Sequence, residues 1–126
     1  MNSWLVPQVM NNQSAIEAQL RHFTGTQHYY RNFTGLLYTD GVRYLAEQAG
    51  SYWLIDLVGS HQPLLHGVPF QVWNLEVKED KSALVTMIED DGEPIRVSQE
   101  IPFTDFPLNE FSFYCIDGVM LLKSEY

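Results

Sequence analysis

The sequence predicts an α+β fold in which N-terminal helices pack on a mostly antiparallel C-terminal sheet, a meander followed by a hairpin. Before residue 70 apolar residues recur at helical spacing, and after residue 70 they alternate with polar residues as in a strand. Turns rich in acidic residues and glycine separate the alternating segments, which is typical of hairpins. The helices are the only apolar surface available to cover one face of the sheet.

The first helix is expected to begin at Ser14. Ser14 and Glu17 have the spacing of a capping box, and Thr24–Gly25 predicts where the helix ends. A short strand-like run follows over residues 36–39. A first helix and one short strand are therefore predicted before residue 40.

Two further helices are expected to meet at a tight corner. Asp40 should cap the second helix, and Gly50 should end it. The third helix should run from Ser51 until Gly59 stops it. The core is expected to include Trp53, Leu54, Leu57, Val72 and Leu84.

Five strands are expected after residue 69. The predicted strands cover 70–77, 83–89, 95–101, 111–116 and 119–123. Pro102 and Pro107 should break the ladder between the third and fourth of them, because proline cannot donate to a strand partner. A three-stranded meander and a final hairpin result.

Charge is concentrated in one part of the chain. The 126 residues carry a formal net charge of -9, and residues 76–110 hold ten acidic and three basic side chains. Phosphate contacts need Lys and Arg, so we expect no binding to a nucleic-acid backbone. The length supports a single domain over 1–126. The hairpin turns between residues 76 and 110 should form one acidic surface, which favours a protein partner with basic residues.

Composition also predicts a cytoplasmic protein without membrane association. There is no run of about 18 apolar residues, and no basic segment precedes a signal-like stretch. The single Cys115 has no cysteine partner for a disulfide or zinc site, and its apolar neighbours predict a buried thiol.

Common catalytic and nucleotide-binding motifs are absent from the sequence. We therefore expect no cofactor, and the pattern favours a protein without catalytic activity. The candidate catalytic residues are His28, Asp56 and His61, since imidazole titrates near neutral pH and a carboxylate can orient it. Asp56 and His61 are five apart, which is poorer than an i,i+4 spacing for joining two side chains and better suits a histidine that stabilises a helix C-terminus. No paired ligand spacing is present, so no metal site is expected.

Two groups of residues are candidates for binding. The first combines aromatic rings and a carboxylate near His28, which suit a pocket wall but equally suit packing. The second is an acidic hairpin turn, which could form a partner surface but better suits a solvated turn. The candidate binding residues are Tyr29, Tyr30, Asp40, Glu89, Asp90, Asp91 and Glu93.

Several blocks of the sequence are typical of one family. The blocks are FTGTQHYYRNF, LLYTDGVRYLAEQAGSYWLIDLVGSHQ, PFQVWNLEV, TDFPL and LLKSEY. Through them the chain resembles a family of short, uncharacterised bacterial proteins that also occurs in mobile and phage-like genomes. The resemblance implies one compact domain in a bacterial or phage setting, and it assigns no catalytic residue.

Two hypotheses of function follow. The favoured one is a small acidic protein-interaction module, an inhibitor or accessory protein of a mobile element or phage. The alternative is a small enzyme or ligand-binding domain that uses a His/Tyr/Asp pocket. Small size, acidity and the missing motifs favour the first.

Overall fold

The computed structural model describes residues 5–126, with side chains from residue 13 onward. Three α-helices and a seven-stranded mixed sheet form an α+β fold. The elements are α1 (Leu5–Leu20), β1 (Tyr29–Arg31), β2 (Leu37–Thr39), α2 (Asp40–Ala49), α3 (Tyr52–His61), β3 (Phe70–Val77), β4 (Ala83–Ile88), β5 (Ile95–Ile101), β6 (Glu110–Ile116) and β7 (Val119–Leu122). Short 3₁₀-helices follow α3 at Gln62–Leu64 and β7 at Lys123–Glu125. The strand order is β1-β2-β7-β6-β3-β4-β5.

The α+β class is confirmed, but the predicted arrangement is wrong in two respects. β1 and β2 lie between α1 and α2 in the chain, so the helices do not all precede the strands of the sheet. β2 pairs in parallel with β7, which makes the sheet mixed rather than a meander with a hairpin. The strand-like run predicted over 36–39 corresponds to β2, whereas β1 has only three residues and was not predicted. The pairing between residues 37 and 119 depends on tertiary contacts that a local pattern does not record.

The first helix is longer than predicted at its start and shorter at its end. α1 begins at Leu5, and Pro7 lies in its first turn, where a backbone N–H has no partner within the helix. Ser14 and Glu17 lie inside α1, so they do not form a capping box. The helix ends at Leu20, before Thr24–Gly25.

The ends of α2 and α3 depend on residues next to those predicted. Thr39, rather than Asp40, is the N-cap of α2, and its hydroxyl accepts the Val42 N–H at 3.4 Å. Gly50 ends α2 in the left-handed conformation, as predicted. α3 continues through Gly59 to His61. The helix does not stop at this glycine, whose missing Cβ leaves room for the Thr34 side chain.

The helices cover one face of the sheet. On this inner face β3 and its neighbours bury Trp73, Leu75, Val85, Met87 and Phe113. The predicted core positions Leu54 and Leu57 are buried there, whereas Trp53 is only half-buried. Val72 and Leu84 were assigned to the wrong face, because β3 and β4 both carry apolar residues at both alternating positions and the pattern alone does not choose between them.

The Gln71 side chain is polar but lies within this core. Gln71 is 2% exposed, and its amide exchanges two 2.9 Å hydrogen bonds with the amide of Gln62. The Gln71 amide nitrogen also donates to the Val68 carbonyl, and the Trp73 indole donates to the Gln71 oxygen. The amide is therefore saturated, and it ties the 3₁₀-helix that follows α3 to β3 without leaving an unpaired polar atom.

The described helices include none that is both long enough and apolar enough to cross a bilayer.

Candidate functional site

The three candidate catalytic residues have separate hydrogen-bond partners. Asp56 accepts a 2.7 Å bond from the Asn32 amide. His61 Nε2 lies 2.7 Å from the side-chain oxygen of Gln99 on β5. His28 belongs to a third network, around the carboxylate that begins α2. In the described part of the chain, no hydrogen bond or ion pair joins any two of the three.

Asp40 is the centre of that third network. Its carboxylate accepts the backbone N–H of Gln27 at 3.0 Å and of His28 at 3.3 Å, and the Tyr30 hydroxyl at 2.8 Å. The backbone N–H of Asp40 donates to the Thr26 hydroxyl at 2.9 Å. These donors, with the Gln27 N–H first and the Tyr30 hydroxyl second, lower the pKa of Asp40 to about 2. The network, called the Asp40 anchor below, holds β1 and the preceding loop against the start of α2.

The Tyr30 ring packs against two further side chains. The Arg43 guanidinium lies over the ring at 4.6 Å from its centre, and the Tyr38 ring is 5.5 Å away. The predicted binding pair Tyr29 and Tyr30 is therefore divided, since Tyr30 packs beside α2 and Tyr29 is 60% exposed. Among the residues that the structure describes, no three His, Cys, Asp or Glu side chains are grouped to hold a metal ion.

The face of the sheet opposite the helices, called the open face below, carries none of the described helices. Strand register orders its side chains into rows that cross the strands. Two neighbouring rows are apolar. The first consists of Leu37, Val119, Ile116 and Phe70, and the second of Leu121, Tyr114, Val72 and Ile88. All of these side chains are half-buried, so the rows form a continuous, partly exposed apolar surface.

Three aromatic rings pack together in the middle of the open face. Phe70 and Tyr114 have ring centres 5.0 Å apart, and Tyr126 meets both rings edge-on at 5.6 and 5.5 Å. Tyr126 is 77% exposed. A depression of about 430 Å³ lies beside it, with Tyr29 and Leu37 on its far side. Tyr29 is the one predicted binding tyrosine that belongs to the open face.

Beyond the apolar rows the open face becomes polar and then acidic. The third row consists of Ser112, Asn74, Thr86 and Ser98, and the fourth of Glu110, Glu76, Leu84 and Glu100. The three glutamates of the fourth row are exposed. One end of the open face is therefore negatively charged.

The predicted acidic turn lies at the other end of the same strands. Glu89, Asp90, Asp91 and Glu93 are all exposed in the turn between β4 and β5, and Glu89 forms an ion pair with Arg96. Consecutive turns of a meander lie at opposite ends of a strand, and β4 separates this turn from the glutamate row by roughly 20 Å. The acids of 76–110 thus form two patches, where the charge count had predicted one surface.

Sequence reasoning missed the apolar rows and the glutamate row. A signal was present, since β3 and β6 are apolar at both alternating positions, as in Val72 beside Trp73 and Tyr114 beside Phe113. Three helices cover only one face of a sheet, so one apolar set had to remain partly exposed.

Comparison with known protein families identifies most of the chain. The model of a family of unknown function, DUF6876, matches residues 14–126. No curated protein matches the chain, and no solved structure matches it either.

Proposed function

The chain belongs to this family of unknown function, and from that premise we propose that it is a protein-interaction module whose open face binds a basic, partly apolar segment of a partner protein. One observation carries the proposal. The two apolar rows are partly exposed and lie between two patches of carboxylates.

The apolar rows supply the affinity in this proposal. Contiguous apolar surface is uncommon on monomers and is typical of interaction sites, and aromatic residues are enriched there. Tyr114, Phe70 and Tyr126 form such an aromatic centre in the open face. A partner that buries these rings gains most of its binding energy from them.

In this proposal the carboxylates determine which kind of partner binds. Glu76, Glu100 and Glu110 border the rows at one end, and the turn from Glu89 to Glu93 borders them at the other. Lys and Arg on both flanks of an apolar segment would meet these patches. The attraction between these opposite charges would speed association of the partner and would weaken with added salt.

This proposal includes the setting that the sequence resemblance implies. An acidic module that binds a basic protein surface can occupy a site built for nucleic acid, and a nucleic-acid backbone itself would be repelled. We propose that the module is an inhibitor or accessory protein of a bacterial mobile element or phage and that it acts in the cytoplasm.

The alternative of an enzyme or ligand pocket gains no support from the described geometry. Asp40, with its pKa lowered to about 2, is too weak a base to take a proton near neutral pH. Its oxygens already accept bonds from Gln27, His28 and Tyr30. We therefore assign the cluster an anchoring role.

The experiment is a selection of random peptides displayed on phage against the immobilised protein. We expect enriched peptides to combine Lys or Arg with aromatic or aliphatic residues. Binding of these peptides should fall at least tenfold in Tyr114→Ser, and it should be unchanged in the control Tyr52→Ser, an exposed tyrosine on α3. Circular dichroism checks that both variants fold. Enriched peptides without basic residues, or equal binding to Tyr114→Ser, would contradict the proposal.

A further inference from the structure

We propose that two copies of the chain associate edge to edge through β5, in antiparallel orientation about a two-fold axis at Ser98. β5 is the outermost strand on the β4 side of the described sheet, so one row of its backbone N–H and C=O groups has no strand partner there. Pro94 and Pro102 flank the seven-residue strand and confine any added pairing to it. This inference goes beyond the proposed function, which concerns the open face.

The sequence of β5 is complementary to itself. The strand reads IRVSQEI, so Arg96 and Glu100 lie two residues on either side of Ser98. β5 pairs with β4 in regular register from Ile101 to Val97, and the register then shifts by one residue at a bulge that contains Arg96. When two such strands pair antiparallel about Ser98, their regular parts align, and the long Arg96 side chain of each copy reaches from the bulge to Glu100 of the other. Two opposite-charge pairs then support the same register, and directly opposed charges of this kind stabilise strand pairing.

Other registers lose this complementarity. A shift of two residues in one direction places Glu100 opposite Pro94, and a shift in the other direction places Arg96 opposite Pro102. In both shifted registers each charge also faces Ser98 or a proline in place of its counter-ion. A parallel arrangement has no two-fold axis at Ser98. The charges therefore select one occupant and one register, a second copy centred on Ser98.

The side chains of β5 are accessible for this contact. Val97 is the one buried residue of the strand, and Arg96, Ser98 and Glu100 are exposed. Arg96 already pairs with Glu89 in its own chain. A guanidinium has five N–H donors, so it can keep Glu89 and also reach Glu100 of the second copy. The open faces of the two copies would then form one continuous surface.

The test is sedimentation velocity of the full chain over a concentration series, at about 0.15 M salt to screen the repulsion between two copies of charge -9. We expect a monomer–dimer equilibrium. Arg96→Glu and Glu100→Arg each turn two attractive pairs into repulsive ones, so each should raise the dimer dissociation constant roughly tenfold or more. An equimolar mixture of these two variants should associate again, because every opposed pair is then oppositely charged.

A cross-link tests the register independently. Ser98→Cys should form an intermolecular disulfide under mild oxidation faster than Ser124→Cys, an exposed serine distant in sequence from β5. The native Cys115 is fully buried and does not interfere. Thermal unfolding followed by circular dichroism checks the fold of every variant. The proposal is overturned if the unmodified chain stays monomeric, if the mixed variants fail to associate, or if the two cysteine variants cross-link equally fast.

Discussion

Glu76 and Glu110 stand directly opposite each other on β3 and β6, and both side chains are exposed on the open face. Directly opposed like charges destabilise a pair of strands. Asn74 donates to Glu110 at 3.3 Å, but no basic side chain in the described ion pairs neutralises either glutamate. An arrangement that weakens the fold is expected where the charges serve binding.

Glu110→Lys should therefore stabilise the protein and impair binding. The change replaces a repulsive pair with an attractive one, so we expect the free energy of unfolding to rise by roughly 0.2–1 kcal/mol. Urea denaturation measures this, and peptides selected on the open face should bind more weakly. Glu17→Lys on α1 makes the same charge change elsewhere and is the control. A less stable Glu110→Lys with unchanged peptide binding would contradict the role of this row.

Val72→Thr and Val85→Thr should differ although the substitution is the same. Val85 is fully buried between the sheet and the helices, so its new hydroxyl would lose water without a partner, at a cost of roughly 1–3 kcal/mol. Val72 is half-buried on the open face, and we expect a loss below about 1 kcal/mol there. Chemical denaturation of both variants measures the contrast. Equal losses would show that the open face is covered in solution.

Strand positions could be predicted from the sequence because alternation acts locally. The predicted bounds of the strands at Phe70–Val77 and Ile95–Ile101 agree with the structure. Which face of a strand meets the helices depends on tertiary packing. The sequence pattern does not contain this information, so Val72 and Leu84 were predicted on the wrong face. β1 could not be predicted, since its three residues pair with β2 through contacts that no local period records.

The candidate site was predictable only in part. Acidic residues in a turn are exposed for local reasons, and Glu89 to Glu93 are exposed as expected. The glutamate row depends on the alignment of β6, β3 and β5, which is fixed by pairings between distant residues. Tyr29 and Tyr30 are neighbours in sequence, yet alternation sends them to opposite sides of the sheet.

Cys115 should be unreactive in the folded protein. It is fully buried on β6, and burial raises the pKa of its thiol to about 12, so almost no thiolate is present near neutral pH. We expect slow reaction with a thiol reagent in buffer and rapid reaction in denaturant. The Ser124→Cys variant supplies an exposed thiol as the positive control. Fast labelling of the native protein would show that β6 opens readily.

Gly41→Ala should destabilise the protein through steric contact. A Cβ at Gly41 would lie 2.5 Å from Leu122 Cδ1 and 2.8 Å from Glu125 Cδ. Glu125 accepts bonds from the Gly41 N–H and the Thr39 hydroxyl, so its displacement would also disturb the start of α2. We expect a loss of roughly 1–3 kcal/mol in thermal or chemical unfolding. Gly67→Ala, which has nothing within 4 Å, is the control and should lose no stability.

The Asp40 anchor predicts a specific dependence of stability on pH. Because the pKa of Asp40 falls from its ordinary 3.8 to about 2 on folding, its carboxylate stabilises the folded state above pH 3.8, and this contribution is lost as pH falls through about 2. Asp40→Asn should therefore be less stable than the unmodified chain at pH 7, and the difference should shrink as pH falls from about 4 to about 2. Urea midpoints at a series of pH values measure the difference. Asp105→Asn, an exposed carboxylate for which the structure gives no hydrogen bond, is the control and should show no such trend. A difference that stays constant with pH would mean that Asp40 acts through shape rather than through its charge.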